Sequence, residues 1–108
     1  MSLQITFLGT AASIPTATRS LPSVAVYRKG ELLLFDCGEG TQRQMINGRI
    51  GLNRKTKIMV THMHGDHILG VPGLFQTMSL LGRNKPIKIY GPVGIGDFIQ
   101  AVIQTVRF

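Results

Sequence analysis

The three histidines of this chain lie within six consecutive positions and share that segment with one aspartate. The pattern is H-x-H-x-D-H, formed by His62, His64, Asp66 and His67. Imidazole nitrogen and carboxylate oxygen are ligands that zinc accepts readily, and histidine is the commonest protein ligand of metals. Solvated loop histidines are the alternative, but three histidines and an aspartate at this spacing favour a metal site.

The residues before the cluster predict the element that positions it. Residues 58–60 are apolar and partly β-branched, which is typical of a buried strand. The first two histidines are two residues apart where this strand ends, and alternate side chains of an extended backbone point the same way. Gly65 lets the chain turn, so the aspartate and the last histidine are expected to face a second position nearby.

The rest of the chain alternates predicted strands and helices, which is typical of an α/β fold. We predict strands at residues 3–8, 24–27, 32–35 and 87–90, and helices at 41–46, at 74–81 after Pro72-Gly73, and from residue 95. The Lys29-Gly30 turn should join the second and third strands in a hairpin, because few residues separate them. An apolar content of 44% suffices for the core of one domain.

Twelve lysines and arginines against five acids give the chain a net charge of +7. This excess indicates an anionic partner, nucleic acid first, although ordinary surface solvation explains it equally well. The single cysteine, Cys37, cannot form an internal disulfide, which fits a reducing, cytoplasmic location. No apolar run approaches the roughly 18 residues of a membrane helix, and the start does not resemble a signal peptide.

Two features predict that further sequence completes this chain. The last predicted helix carries an apolar stripe that another part of the protein should cover. The stripe consists of Phe98, Ile99, Val102, Ile103 and Val106. A catalytic zinc usually has about three protein ligands plus water, so two ions need more than the cluster supplies. The other donors are Glu31, Asp36, Cys37, Glu39 and Asp97. Either the site holds one ion, or the remaining ligands lie outside this sequence.

The segment T-H-M-H-G-D-H, placed after a strand, resembles the metal-binding signature of the metallo-β-lactamase superfamily. Within that superfamily, three further segments resemble ribonuclease Z, the endoribonuclease family that trims the 3′ ends of precursor tRNA. They are T-F-L-G-T at 6–10, L-F-D-C-G-E-G-T-Q at 34–42 and I-Y-G-P at 89–92. The resemblance spans essentially the whole chain but only the N-terminal part of the family's domain. The family's later histidine, bridging aspartate, final histidine and tRNA-binding arm have no counterpart here.

The resemblance implies a fold and a chemistry. Residues 1–108 would be the N-terminal portion of one αββα four-layer sandwich, truncated within or after the last helix. His62 and His64 would bind one zinc ion of two, and Asp66 and His67 the other, with Asp66 also the proton acceptor. The protein would be a cytoplasmic, homodimeric endoribonuclease acting on precursor tRNA. This chain alone would be inactive, and its zinc partial or absent.

Three other residues receive less specific predictions. The loop with Pro15 and Arg19 resembles a family loop that helps to select the tRNA acceptor end. Ala17 and Ser20 replace the lysine and asparagine that many relatives carry there. Asp36 either orients a ligand histidine as a hydrogen-bond acceptor or caps the following turn.

Two alternative functions stay open. One is another hydrolase of the metallo-β-lactamase fold, acting on a thioester, lactam or phosphodiester. The other is a catalytically incomplete fragment that folds or associates without turning over substrate.

Overall fold

The computed structural model describes residues 2–108, and its elements follow the predicted alternation of strands and helices. In chain order they are β1 (Leu3–Gly9), β2 (Ser23–Arg28), β3 (Glu31–Phe35), α1 (Thr41–Asn47), β4 (Lys55–Met59), α2 (Gly65–Ile68), α3 (Gly70–Leu80), β5 (Ile87–Tyr90) and α4 (Ile95–Thr105). The α/β class is thereby confirmed, as is the hairpin of β2 and β3.

The strands form one mixed sheet in the order β1-β2-β3-β4-β5. The first three are antiparallel neighbours, and Lys29 and Gly30 turn the chain between β2 and β3 with φ angles of 51° and 78°. The pairs β3–β4 and β4–β5 are parallel. Because parallel strands end at the same edge of a sheet, the segments that follow β3 and β4 meet there.

The core lies on one face of the sheet, beneath α1, α3 and α4. Alternate strand residues point into it, and Leu32, Leu34 and Ile58 are completely buried. The helices contribute Met45, Val71, Leu74, Met78 and Val102.

The opposite face of the sheet is apolar and exposed on β1. Leu3, Ile5 and Phe7 alternate along this strand and are 58%, 56% and 70% exposed. Their register partners on β2 include Val26 and Val24, which are half-buried. A face with this composition is normally covered in a folded protein.

The helix predicted after Pro72-Gly73 begins earlier, at Gly70, and the short helix α2 precedes it. The prediction was wrong because Pro72 is the third residue of α3, where a missing N–H is tolerated in the first turn. Gly70 allows this early start, since a Cβ there would overlap the carbonyl oxygen of Gly38. The backbone N–H of Gly70 also donates to the Cys37 carbonyl at 2.9 Å.

The apolar stripe of α4 is only partly covered by the sheet. Val102 is buried and Phe98 and Ile99 are half-buried, whereas Ile103 is 53% exposed. Among residues 2–108, no helix has the length and apolar character needed to cross a membrane.

Candidate metal centre

The histidine cluster lies where β3 and β4 end. His62 and His64 follow β4, and His64 is the residue before α2. Asp66 and His67 belong to the first turn of α2, whose backbone begins to coil directly after the extended His64. The sharp change from strand to helix is what brings all four side chains to one edge of the sheet.

Asp36 ties the three segments of this edge together. It follows β3, is only 8% exposed, and has a left-handed backbone with φ of 61°. Its carboxylate accepts hydrogen bonds from the Thr61 N–H at 2.8 Å and from the Thr61 hydroxyl, 2.8 Å from Oδ2. The same Oδ2 lies 2.9 Å from Nδ1 of His67. The Asp36 side chain therefore contacts His67 directly, and it also contacts Thr61, the residue before His62.

These contacts fix which ring nitrogens of the neutral histidines are available. The Asp36 carboxylate can only accept, so His67 Nδ1 donates, and in the neutral ring Nε2, which lies 3.5 Å from Asp66 Oδ2, keeps the lone pair. The Thr61 hydroxyl has one proton and gives it to Asp36, so His62 Nδ1 donates to the hydroxyl oxygen at 2.9 Å. His62 therefore also leaves its Nε2 free, which is the arrangement that metal-binding histidines use.

The rings themselves lie close together. The ring centroids of His62 and His67 are 3.9 Å apart, and those of His62 and His64 are 4.8 Å apart. His67 Nε2 is 3.5 Å from Asp66 Oδ2. As they stand, no three histidine, cysteine, aspartate or glutamate side chains within residues 2–108 are arranged to hold a metal ion. In chemistry and location, however, this donor set fits a divalent transition metal.

Two contacts of the cluster were not anticipated from the sequence. Thr61 links Asp36 to His62, and the only available signal was its place directly before the first histidine. The backbone N–H of Ser13 donates to Asp66 Oδ2 at 3.1 Å across 53 residues of chain. Nothing local in the sequence marks Ser13, because a backbone donor can come from any residue.

The loop after β1 places Arg19 beside α1 rather than among the histidines. Within the loop, the hydroxyl of Thr16 accepts the N–H of Arg19 at 2.8 Å. Arg19 lines a cavity of about 230 Å³ together with Arg43, Gln44 and Asn47. Pro15 is exposed on the same loop.

Cys37 is completely buried directly after Asp36. Burial is the main reason that the pKa of its thiol rises from 9.0 to about 12, and the Asp36 charge raises it further, against a hydrogen bond with Thr41. The thiol is therefore protonated at neutral pH and packs as a small apolar group.

The fold has close counterparts among solved structures. Human tRNase Z, short form, superposes with a TM-score of 0.84 at 49% identity, over 93% of this chain and 39% of that one. The metallo-β-lactamase fold protein YhfI from Bacillus subtilis gives a TM-score of 0.74 at 23% identity, over 91% of this chain and 42% of that one. The protein thus has the metallo-β-lactamase fold, as the sequence predicted.

The family follows from sequence comparison. The model of the family described as anti-Pycsar protein Apyc1 matches residues 3–99, and the chain belongs to that family. The predicted resemblance to ribonuclease Z is also confirmed. The ribonuclease Z of Methanosarcina acetivorans is 53% identical over 91% of this chain, which covers 32% of that protein. The human zinc phosphodiesterase ELAC protein 1 is 50% identical over 96% of this chain and 30% of its own length.

The chain spans about a third of the length of the curated relatives that it matches.

Proposed function

We propose that this chain carries the first ligand cluster of a zinc-dependent endoribonuclease that cleaves precursor tRNA and removes its 3′ trailer. The observation that carries the proposal is the hydrogen-bond chain from Asp36, which leaves the lone pair of each neutral ring at Nε2 in the adjacent His62 and His67. The names of relatives at about half identity, ribonuclease Z and zinc phosphodiesterase, support the metal and the reaction class.

In this proposal His62 and His64 hold one zinc ion, and Asp66 and His67 hold the second. When bound, zinc supplies a water of lowered pKa and stabilises negative charge on the phosphate oxygens. Asp66 accepts the proton of the attacking water at Oδ, while the Ser13 N–H at 3.1 Å from Oδ2 keeps the carboxylate in place.

Asp36 and Thr61 act as positioning residues. Their hydrogen bonds orient two of the rings and set the neutral tautomer, which is the usual task of groups behind metal-binding histidines. Arg19 and Arg43 line one cavity, and both are exposed cations that suit phosphate contacts. Pro15 and Arg19 thus belong to a loop that receives the RNA end in this proposal.

We further propose that residues 1–108 form the N-terminal portion of a single αββα domain in the cytoplasm, working as a homodimer. A second sheet would cover the exposed face of Leu3, Ile5 and Phe7, and would bring the remaining ligands. The chain alone should therefore be a poor nuclease with partial or no zinc, and it should self-associate.

Zinc binding by the complete enzyme tests the metal assignment. Replacing His62 or His64 with alanine should abolish most of the bound zinc, measured by atomic emission after gel filtration. Asp97→Ala removes an exposed carboxylate on α4 and serves as the control that should keep zinc unchanged. Zinc content that survives both histidine substitutions contradicts the assignment.

Cleavage assays on the complete enzyme test the substrate class. Precursor tRNA, a small phosphodiester, a thioester and a lactam should be compared under the same conditions. We expect turnover of precursor tRNA only, with a cut at the 3′ side of the tRNA that releases the trailer. Preference for any small substrate would instead assign the protein to another hydrolase of the same fold.

A further inference from the structure

A small polar cavity lies against the loop between α1 and β4, at the opposite end of β4 from the histidines. Its volume of about 100 Å³ is several times the roughly 10–15 Å³ that one water molecule needs. Three parts of the chain supply its polar side chains, which are Gln4 and Thr6 on β1, Tyr27 on β2, and Arg49 and Arg54 on the loop.

The cavity lies on the face of the sheet that carries the helices. Two of its apolar lining residues, Ala25 and Leu32, are buried in the core on that face. Leu3, Ile5 and Phe7 belong to the opposite face, because side chains alternate along β1. A second sheet packed on that opposite face would therefore leave the cavity open.

Arg54 is held in place before any ligand binds. Its Cζ lies 4.1 Å from the centroid of the Tyr27 ring. Gly51 makes room for the side chain, because a Cβ there would come within 2.9 Å of the Arg54 Nε. The Arg54 carbonyl accepts hydrogen bonds from Arg83 Nη1 and from the Thr56 hydroxyl, both at 2.8 Å. A guanidinium positioned in this way loses little freedom when it binds a ligand.

The two arginines of the cavity have no acidic partner. No carboxylate lines the cavity within the part of the chain that the structure describes. The ion pairs among residues 2–108 use only Glu31, Asp36 and Asp66 as acids, and neither arginine takes part in them. Two guanidinium groups beside one small space repel each other unless an anion lies near both. The cavity therefore favours an anionic ligand.

The polar groups of the lining suit an oxyanion. The Thr6 and Tyr27 hydroxyls and the Gln4 amide can each donate a hydrogen bond, as can both guanidinium groups. Guanidinium binds phosphate through paired N–H···O contacts, which are stronger than neutral hydrogen bonds. A carboxylate would offer only two oxygens to these five side chains, whereas a phosphate group with free oxygens offers more. The small volume also suits one phosphate group better than a chain of linked phosphates.

We propose that this cavity binds a phosphate group with free oxygens, either inorganic phosphate or the terminal phosphate of a nucleotide. The site goes beyond the proposed function and does not rest on it. The five residues of β4, which separate the cavity from the histidine cluster, span roughly 17 Å. A phosphate bound here would therefore be distinct from one at the metal centre, and it would tie the loop before β4 to β1 and β2.

Titration calorimetry of the complete protein with inorganic phosphate tests the site, with EDTA present to remove binding to metal ions. Arg54→Gln removes one charge of the cavity, and Arg54→Lys keeps the charge without the planar fork. Tyr27→Phe removes the hydroxyl but keeps the ring beneath Arg54. The charge-matched control is Arg107→Gln, an exposed residue outside the cavity.

We expect Arg54→Gln to weaken phosphate binding by about 10–100-fold, because a charge-assisted contact is lost. Tyr27→Phe should weaken it by about 2–10-fold. Arg54→Lys should keep part of the affinity, and Arg107→Gln should keep all of it. Thermal unfolding without phosphate verifies that each variant is folded, and Tyr27→Phe tests the site if Arg54→Gln does not fold.

The proposal is overturned if the wild type shows no saturable phosphate binding, or if Arg107→Gln loses as much affinity as Arg54→Gln. Folded Tyr27→Phe and Arg54→Gln variants that both bind like the wild type would overturn it as well.

Two further probes distinguish the sources of the phosphate. Adenosine monophosphate that binds more tightly than inorganic phosphate, and that Arg54→Gln weakens equally, assigns the site to a nucleotide. Equal or weaker binding of the nucleotide assigns it to free phosphate, and both results support the proposal. An RNA hairpin without terminal phosphates should not compete. Full displacement of phosphate by this hairpin would assign the cavity to an RNA backbone and overturn the proposal.

Discussion

The two ends of the sheet hold their charged side chains in opposite ways. At the histidine end, Asp36 is buried and its carboxylate is committed to Thr61 and His67 through contacts of 2.8–2.9 Å. At the other end of the sheet, where β4 begins, Lys55 is 77% exposed and lies 3.9 Å from the Glu31 carboxylate.

The difference separates geometric precision from electrostatic attraction. Buried hydrogen-bond networks fix atoms in place and are costly to leave half made. Exposed ammonium groups contribute little to folding, yet they act on a polyanion over roughly 10 Å at moderate salt. One end is therefore suited to chemistry at a defined point, whereas the charged side chains of the other end are held only loosely.

The largest expected effect concerns Asp66, because it belongs to the chemistry at the histidine end. In the complete enzyme, Asp66→Ala should lower kcat by about 10²–10⁴-fold, the usual contribution of a proton acceptor. Arg19→Ala should raise KM with a much smaller change in kcat, since a phosphate contact only positions the RNA. Single-turnover cleavage of precursor tRNA distinguishes them, and equal losses in the two variants would contradict these roles.

A smaller effect is expected for Asp36→Asn. The amide offers one acceptor oxygen where the carboxylate offers two, so the orientation of His67 and Thr61 is weakened. Zinc affinity should fall about 10–100-fold. Competition with a chelator measures it, with Asp97→Asn as the control. An unchanged zinc affinity in Asp36→Asn would contradict the positioning role of the carboxylate.

Cys37 should produce the smallest effect, in the dependence of stability on pH. Its folded pKa of about 12 lies above the ordinary value of 9.0, so the folded state favours the neutral thiol. That contribution is fully present below pH 9 and is lost as pH rises from 9 toward 12. The loss should approach about 1.4 kcal/mol per pH unit within that window.

Cys37→Ala isolates the contribution of the thiol, because lysines and tyrosines titrate in the same range in both proteins. Urea unfolding at pH 8, 9 and 10 should show a steeper loss of stability in the wild type than in the variant. If stability fell equally with pH in both proteins, the thiol would be less deeply buried than the structure shows.

Periodicity and short motifs in the sequence were sufficient to predict most elements of the fold. The parallel strand at 87–90 was predicted with its observed bounds, since its apolar run is flanked by turn residues. The start of α3 was predicted too late. Pro72 is compatible with the first turn of a helix, and the contact between Gly70 and Gly38 joins segments that are distant in the sequence. Long-range backbone contacts leave no local signal.

The candidate site likewise combines features that the sequence predicted with features that it did not. The spacing of the histidines predicted that they would gather after β4, whereas the role of Asp36 was left open between two possibilities. The structure places its carboxylate on His67 and Thr61. The link from Ser13 to Asp66 depends on how the loop after β1 folds back, which composition does not determine.

The left-handed backbone of Asp36 limits how this position can be engineered. At φ of 61°, glycine would relieve strain, asparagine would be tolerated, and a β-branched or longer side chain would be strained. Asp36→Gly should nevertheless make the chain easier to unfold, because the strain relieved at one backbone position is smaller than the cost of leaving the Thr61 and His67 donors without their buried acceptor. Selection for thermal stability would therefore retain the carboxylate at this position, and with it the orientation of the rings.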